Sequence, residues 1–407
     1  MLSNYYNPSD PTDALRSIVG QVMRIDDATL GEPGKFYVRF RGKLVMDSVE
    51  AYARVADKFR AMGYTALFRK DGGAETVLAV QGVIAPRPSR SWISWLLMGL
   101  TFFSVLLAGA DYGASATLPT TAFGWLAWLA SGWPYMASLM AILLAHEFGH
   151  YLAARYHKVA VTLPNFIPLP FLSPFGTMGA FIQLKAPPTN RRVLLDIGIA
   201  GPLAGFVVAV PILLYGLMTS TVQPLPTAVD PGMMLSLEGN SLLYIAAKLA
   251  VFGKLLPVPA SFGGLPPLLY MARYYLLGIP APLGGADVML NQIAWAGWVG
   301  LLVTGLNLIP AGQLDGGHAI YVLLGEKRAR QILPLILGVL VLLGLFWTGW
   351  FLWAALIFFF GRIYAEPLDQ ITQLDTPRRL LALVGLVIFL LVITPIPLRE
   401  VLPVALR

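Results

Sequence analysis

The chain has 407 residues, of which 57% are hydrophobic and only 13% are charged, and its mean hydropathy is +0.67. Soluble proteins carry roughly a quarter charged residues, so this composition excludes a single water-soluble core and predicts a membrane protein. The net charge of +7 does not indicate nucleic-acid binding, because the basic residues lie in short loops beside apolar segments, and the absence of cysteine excludes disulfides, thiolate metal ligands and thiol catalysis.

The first 84 residues predict a small soluble α+β domain. Their polar start lacks the basic and apolar regions of a signal peptide, so we expect the chain to begin in the cytosol. Residues 85–91, rich in proline and arginine, predict a linker to the membrane. The predicted elements are a helix near residues 13–23, a strand from Phe36, a helix that ends at Gly63, and two strands separated by the hairpin signal Asp71-Gly72-Gly73.

Apolar stretches repeat from Trp92 onward, and several approach the roughly 20 residues that a helix needs to cross a bilayer. Arg87 and Arg90 precede the first stretch and no lysine or arginine follows it until Arg155, so the positive-inside rule places the N-terminal domain in the cytosol. The predicted spans are residues 92–110, 135–156, 193–217, 291–309, 332–345, 350–360 and 380–393, with two weaker segments at 241–256 and 266–277.

These patterns predict an all-α polytopic membrane protein of about seven transmembrane helices, with a small soluble α+β domain at the N-terminus. Six or eight spans remain open, because residues 219–285 are only weakly apolar. The membrane domain is expected to cover residues 92–395, and a tail is expected at 396–407.

The stretch that indicates chemistry is HEFGH, inside the second apolar span. Residues four apart share one face of a helix, so His146 and His150 can direct imidazole nitrogens at one zinc ion. Glu147 lies beside the first of them and can take a proton from the attacking water. Buried histidines satisfied by hydrogen bonds are the alternative, but that alternative does not explain a carboxylate among them, since ionisable groups in a span are costly unless they pair, bind metal or face a polar cavity.

A third protein ligand is needed, because catalytic zinc sites use three ligands and leave the fourth position open. The best candidate is Asp315 in the stretch NLIPAGQLDGGH, since both motifs approach the cytosolic half of the membrane. A plain turn between two helices is the alternative, because Asp-Gly-Gly is a common turn sequence.

With these motifs the chain resembles the site-2 protease family of intramembrane metalloproteases, peptidase family M50. The resemblance rests on HEFGH and on Leu314-Asp315-Gly316, and it extends through FGTMGAFI at residues 175–182 and DIGIAGPLAGF at 196–206. It covers residues from about 134 to 325, the expected protease core. In overall layout the chain is similar to bacterial and plastid members with a small soluble N-terminal domain.

The resemblance implies a zinc metalloendopeptidase that cleaves membrane proteins in or near their transmembrane segments. It implies that His146, His150 and Asp315 bind one zinc ion per chain, that Glu147 is the general base and acid, and that Asn307 lies near the metal, where it could help hold the substrate carbonyl. The expected partners are a substrate with a transmembrane segment and the lipid bilayer, with the oligomeric state open. The expected location is a bacterial plasma membrane.

Other polar residues have weaker interpretations. His157 is expected to be a solvated interfacial histidine rather than a ligand. His318 follows Asp315 by about one helical turn and could either support the metal ligands or have only a structural role. Asp196 is expected to interact with the positive end of its helix rather than to act in catalysis. Gly201 and Gly205 form a GxxxG pair that favours close helix packing.

The stretch at residues 175–184 alternates enough to predict an extended edge or hairpin near the active-site helix. Such an edge could pair with an unwound substrate by strand addition, because a helical substrate hides its peptide bonds in its own hydrogen bonds. An ordinary re-entrant loop is the alternative.

Two other classes of function use the same fold features. A transporter or metal permease would line a pathway with polar residues spread over many spans, whereas here they concentrate at two positions. A non-catalytic membrane scaffold would be expected to lack Glu147, which this chain retains.

Overall fold

The computed structural model describes residues 10–31, 35–86, 88–113, 119–229 and 235–401. The polar start of the chain, Arg87 in the linker and the last six residues of the predicted tail lie outside these ranges. The chain is mostly helical, with four small sheets among the described residues.

The N-terminal residues form a four-stranded antiparallel sheet with two helices. Its elements are α1 (Thr12–Gly20), β1 (Met23–Leu30), β2 (Val38–Leu44), α2 (Ser48–Ala61), β3 (Tyr64–Asp71) and β4 (Ala74–Gln81), and the strand order is β1-β2-β4-β3. The two helices bury Leu15, Val19, Val55 and Phe59 against sheet residues such as Phe68. Both predicted helices and the predicted hairpin are present, since Asp71 pairs with Ala74 across the turn.

Strand β1 is absent from the sequence prediction. It lies at the edge of the sheet and most of its residues are exposed, so its sequence MRIDDATL lacks the apolar alternation of a half-buried strand.

The remaining helices and short strands follow the N-terminal sheet along the chain. They are α3 (Ser91–Tyr112), α4 (Ala122–Ser131), α5 (Trp133–Tyr156), β5 (Asn165–Pro168), β6 (Thr177–Phe181), α6 (Arg191–Met218), β7 (Thr221–Pro224), β8 (Leu235–Glu238), α7 (Leu242–Phe252), α8 (Pro267–Leu277), β9 (Ala286–Met289), α9 (Gln292–Asn307), α10 (Asp315–Leu324), α11 (Glu326–Gly344), α12 (Gly349–Phe360), α13 (Thr376–Val392) and β10 (Leu398–Val401).

Fewer helices in the described ranges are long and apolar enough to cross a membrane than the seven spans that the sequence predicts. Among the described residues, α3 and α6 are long and apolar enough to cross a membrane, and the pair α4 and α5, bent by 41°, gives a third if it is one span. The weak segments form α7 and α8, whose 11 residues each extend only about 16 Å, too short for a bilayer core of roughly 30 Å.

The all-α prediction for the membrane region is wrong in detail. Three two-stranded antiparallel sheets join β5 to β6, β7 to β9 and β8 to β10. Strand β6 lies in the extended edge predicted at residues 175–184, whereas the other strands have only four residues each, a pattern too short to separate them from loops.

Helices α5, α6 and α9 pack against one another, and the candidate histidines of α5 lie among them. Their contact buries Leu139 and Ile142 of α5, Leu213 of α6 and Val299 of α9. Helix α6 begins at a side-chain cap, where Asn190 Oδ1 accepts the N–H of Val193 at 3.0 Å. The start of α6 is therefore fixed beside the end of α5 that carries the histidines.

The loop between α12 and α13 connects the N-terminal sheet to the start of α6. Leu368 O accepts the N–H of Phe68 at 2.9 Å, and Gln370 N–H donates to Phe68 O at 3.0 Å, so this segment lies parallel to β3. On its other side Asp369 N–H donates to Thr189 O at 2.8 Å. The segment is thus an inter-domain strand, here defined as residues 368–370.

Candidate metal centre

Three of the predicted site residues converge on one point. His146 Nε2 and His150 Nε2 lie 3.2 Å apart, and Asp315 Oδ2 lies 3.3 Å from the first and 3.4 Å from the second. The two histidines are one turn apart on α5, and Asp315 is the first residue of α10. Two histidines and a carboxylate separated by 165 residues of sequence or more therefore share one buried position.

The spacing of these atoms fits a tetrahedral zinc ion. With metal–ligand bonds of about 2.0–2.1 Å, neighbouring ligand atoms of a tetrahedron lie roughly 3.3 Å apart, which matches the three measured separations. Imidazole nitrogens and a carboxylate oxygen are also ligand types that zinc prefers in proteins. No other group of ligand-type side chains among the described residues is close enough to hold a metal ion.

The orientation of His150 is set from behind by α6. His150 Nδ1 lies 2.7 Å from the carbonyl oxygen of Ile197, so Nδ1 carries the proton and Nε2 is free to bind a metal. Gly201 lies against the same ring, since a Cβ atom there would be 2.0 Å from His150 Nε2. The glycine at residue 201, which was predicted to allow close helix packing, thus also leaves room for the His150 ring.

Glu147 is buried beside the three atoms. Its Oε1 lies 4.0 Å from His146 Nε2, and its Oε2 has no hydrogen-bond partner in the part of the chain that the structure describes. A buried carboxylate oxygen without a donor is available to accept a proton from a bound water.

Asn307, the last residue of α9, also reaches the centre. Its Nδ2 lies 3.3 Å from His146 Nε2. The chain then turns through Leu308 to Asp315, and Gly316 allows this turn, because a Cβ there would lie 1.9 Å from the carbonyl oxygen of Leu308. The LDG sequence thus forms the start of α10 directly after this turn, and it carries the carboxylate to the histidines.

The centre opens into a cavity of about 200 Å³. One wall is formed by Ala180 and Phe181 of β6 and by Ile182 and Leu184, which follow that strand. The extended edge predicted within residues 175–184 is present as β6, which pairs antiparallel with β5, Phe166 opposite Ala180, to form a hairpin. Its tip reaches the middle of α3, where Ser104 Oγ donates to Gly176 O at 2.5 Å. Among described strands β6 pairs with β5 alone, which leaves its second edge unpaired.

The model of peptidase family M50 matches residues 134–346, more than half of the chain, and this range holds all five predicted site residues. The chain belongs to peptidase family M50. The family membership that the sequence motifs indicated is therefore confirmed.

Relatives of this M50 protein carry metalloprotease names. "Probable zinc metalloprotease EGY2, chloroplastic" is 28% identical in Oryza sativa subsp. indica, over 91% of this chain and 63% of the relative, and 29% identical in Arabidopsis thaliana, over 96% and 66%. "Probable zinc metalloprotease EGY1, chloroplastic" of Arabidopsis thaliana is 32% identical over 65% of this chain and 42% of the relative. The M50 chain thus spans less than two thirds of the length of these relatives. No solved structure matches it.

Neither His157 nor Asp196 joins the group of possible metal ligands, as predicted, but both take part in an ion-pair cluster that the sequence did not predict. The side chain of His157 is only 18% exposed, and its Nε2 lies 2.9 Å from Asp196 Oδ2. Asp196 is not simply a charge at a helix start: Arg378 donates to it from Nε at 2.9 Å and from Nη2 at 2.7 Å. Arg378 lies far along the sequence, so the sequence alone gave no reason to place it here.

His318 lines the cavity beside Gly198, where a Cβ atom would lie 2.9 Å from the histidine Cβ. Its Nδ1 has no hydrogen-bond partner among the described residues. Support of the metal ligands and a purely structural role both remain compatible with this position. Sequence reasoning missed Ile197, because a backbone carbonyl leaves no signal in the side-chain pattern.

Proposed function

We propose that this M50 protein is an intramembrane zinc metalloprotease that hydrolyses peptide bonds in or near the transmembrane segments of other membrane proteins. The observation that carries the proposal is the triangle of His146 Nε2, His150 Nε2 and Asp315 Oδ2, with sides of 3.2 to 3.4 Å, beside the unpartnered carboxylate of Glu147. The names of the relatives support zinc as the metal and peptide hydrolysis as the reaction.

In the proposed reaction His146, His150 and Asp315 hold the metal. A zinc ion bound by these three residues would lower the pKa of a water molecule towards about 7 and would polarise the scissile carbonyl. Glu147 accepts the proton of the attacking water at Oε2 and then returns it to the leaving amine, so that one residue serves as base and acid. The amide of Asn307, 3.3 Å from His146 Nε2, is placed to donate to the substrate carbonyl oxygen as negative charge develops.

The unpaired edge of β6 is the proposed binding surface for the substrate. A transmembrane helix keeps its peptide groups in its own hydrogen bonds, so the segment to be cut must unwind before hydrolysis. An edge strand offers new partners for the freed N–H and C=O groups. The end of β6, at Ala180 and Phe181, and the residues Ile182 and Leu184 after it line the cavity of the metal centre, which supports delivery of an extended segment to that point.

We propose a topology of seven crossings, by α3, α5, α6, α9, α11, α12 and α13. Two contacts support it. The inter-domain strand, before α13, pairs with β3 of the N-terminal domain, and β10, after α13, pairs with β8. With α13 as a span, β8 and β10 lie on the face of the membrane opposite the N-terminal domain.

The proposed domain division follows from this topology: a soluble domain at residues 1–84, a linker at 85–91, a membrane protease domain at 92–395 with its core at about 134–325, and a tail at 396–407. The N-terminal domain is proposed to face the cytosol of a bacterial cell, because basic residues flank the spans on that side. The relatives are chloroplastic by name, so a plastid membrane is the alternative. Fractionation of the source cells distinguishes the two.

A transporter is the rival class of function, and one buried charged pair outside the centre bears on it. Lys248 Nζ lies 3.7 Å from Asp287 Oδ1, and both side chains are almost fully buried. These charges lie between α7 and β9 together with the buried carboxyl of Glu238, and none of the three residues lines the cavity of the centre.

The test of the proposed function is Glu147→Gln in the full chain, reconstituted in liposomes with a model single-span substrate. The variant keeps the shape of the side chain and removes the base, so we expect zinc near one per chain and a loss of cleavage rate of about 10²- to 10⁴-fold. Glu326→Gln, which only breaks an exposed ion pair with Arg330, is the matched control and is expected to cleave normally. Full activity of the Glu147 variant contradicts the mechanism.

A further inference from the structure

The ends of α5, α6 and α13 meet in a cluster of charged side chains centred on Asp196. The guanidinium of Arg378 donates to Asp196 from both Nε and Nη2, at 2.9 and 2.7 Å, in the planar two-bond geometry that only arginine provides. His157 Nε2 approaches Asp196 Oδ2 from α5 at 2.9 Å. The side chains of His157 and Asp196 are 18% and 17% exposed, so water competes only weakly with these bonds.

Arg378 is itself held in place before it reaches Asp196. Asp375 caps the start of α13, accepting the N–H of Arg378 at 3.0 Å, and its second oxygen accepts from Arg378 Nη1 at 2.6 Å. These contacts lower the pKa of the Asp375 carboxyl despite the opposing effect of desolvation. The Nε and Nη2 donors are thereby left directed at α6, so the guanidinium uses both of its edges.

This cluster adjoins the residue that contacts one of the candidate metal ligands, His150. Asp196 directly precedes Ile197, whose carbonyl oxygen lies 2.7 Å from His150 Nδ1. His157 lies two helical turns after His150 on α5. Asp196 therefore joins the same two helices, α5 and α6, whose relative position sets the distance from Ile197 O to the His150 ring.

We propose that Arg378 is a positioning residue for the metal centre. Arg378 holds Asp196, and thereby the start of α6, in the position from which the carbonyl oxygen of Ile197 orients His150. Arg378 touches neither substrate nor metal. This inference rests on the proposed function, because it takes the three-atom centre to be a zinc site. Groups that orient a metal-binding histidine typically contribute 10- to 100-fold to metal affinity, and Arg378 acts one contact further out.

The experiment measures zinc affinity of the full-length protein in detergent by competition with a chromogenic chelator. We expect Arg378→Gln to weaken zinc binding about tenfold, near the lower end of the range for such groups, and Arg378→Lys to weaken it less, since an ammonium supplies one bond where the guanidinium supplies two. Substitution of cobalt for zinc gives a second readout, because the visible absorption of Co²⁺ changes when a ligand ring turns. Arg330→Gln, which breaks an exposed ion pair on α11, is the control and is expected to bind zinc as the wild type does.

The possible failures are distinguishable. If the wild-type protein binds no zinc, the proposed function fails first. If it binds zinc and Arg378→Gln has an unchanged affinity and an unchanged cobalt spectrum, the positioning role is overturned. If Arg378→Gln does not fold, Arg378→Lys decides, and wild-type affinity together with a wild-type cobalt spectrum in that variant overturns the proposal.

Discussion

At the scale of single residues, the centre depends on space as much as on chemical type. The ring of His150 occupies the place where a side chain at residue 201 would begin, with Nε2 2.0 Å and Cδ2 2.2 Å from an ideal Cβ atom. Such separations are far inside van der Waals contact, so Gly201 is needed for the ring to reach the metal position. Ile197 then holds the ring by its carbonyl oxygen. Helix α6 thus acts on the centre in two ways: the lack of a side chain at Gly201 leaves room for the ring, and the backbone oxygen of Ile197 orients it.

We predict that Gly201→Ala weakens zinc binding while the protein stays folded. Overpacking by one methyl group costs about 1–3 kcal/mol, which corresponds to roughly 5- to 150-fold in affinity if the strain falls on the His150 ring. Zinc titration of the purified protein measures the change. Gly338→Ala is the matched control, because nothing lies within 4 Å of a Cβ atom at that helical position. Equal zinc affinity of the two variants contradicts the prediction.

At the scale of elements, the inter-domain strand is the least expected feature. It pairs with β3 on one side and with the residues that precede α6 on the other. Ile371, next to it, is buried in the N-terminal core, and Ser48 Oγ lies 3.0 Å from Thr372 Oγ1. The loop between α12 and α13 therefore completes the core of the N-terminal sheet and helices and joins it to the residues that precede α6.

We predict that Gln370→Pro loosens the N-terminal domain. Proline removes the N–H that donates to Phe68 O and leaves the bonds to the α6 side in place. The loss of one such bond costs about 1 kcal/mol, which raises the population of the released domain about fivefold. The rate of tryptic cleavage after Arg90 in the linker reports this release.

Gln370→Ala provides the control for that prediction. It removes only the side-chain bond from Gln370 to Glu366 and keeps the backbone N–H. Its cleavage rate should equal that of the wild type. Equal rates for the proline and alanine variants would show that the inter-domain strand does not hold the domain.

At the scale of the whole molecule, pairings between distant strands restrict the topology more strongly than helix lengths do. Helix α9 has 16 residues and α13 has 17, which correspond to roughly 24–26 Å, somewhat less than the bilayer core. Length alone therefore does not assign them as spans. The contacts of the inter-domain strand and of β10 place the two ends of α13 at different partners, the N-terminal sheet and β8.

We predict that single cysteines report this topology directly, because the chain contains none of its own. Ser89→Cys in the linker should react with a membrane-impermeant maleimide from one side of sealed vesicles. Ser236→Cys in β8 and Glu400→Cys in β10 should react only from the other side. All three positions are exposed. Labelling of Ser89→Cys and Glu400→Cys from the same side would exclude seven crossings.

Much of the candidate site was predictable from the sequence, for a local physical reason. The spacing of His146 and His150 puts both rings on one helix face whatever surrounds the helix, and a carboxylate inside an apolar span has few stable roles. The N-terminal helices and hairpin were predictable on the same ground, because capping, periodicity and turn residues act within a few positions. Strand β1 was not predicted, because an exposed edge strand does not require alternating apolar residues.

The sequence by itself thus indicated the membrane character through composition and the residues His146, Glu147 and His150 through short-range spacing, whereas Asp315 and Asn307 joined the candidate site through the resemblance to the family. Only the tertiary structure decided that Asp315 Oδ2 comes within 3.4 Å of both imidazoles, that Ile197 O orients His150, and that Arg378 joins Asp196. These contacts link residues far apart in the chain or involve backbone atoms. Their geometry depends on how helices pack, which no local pattern encodes.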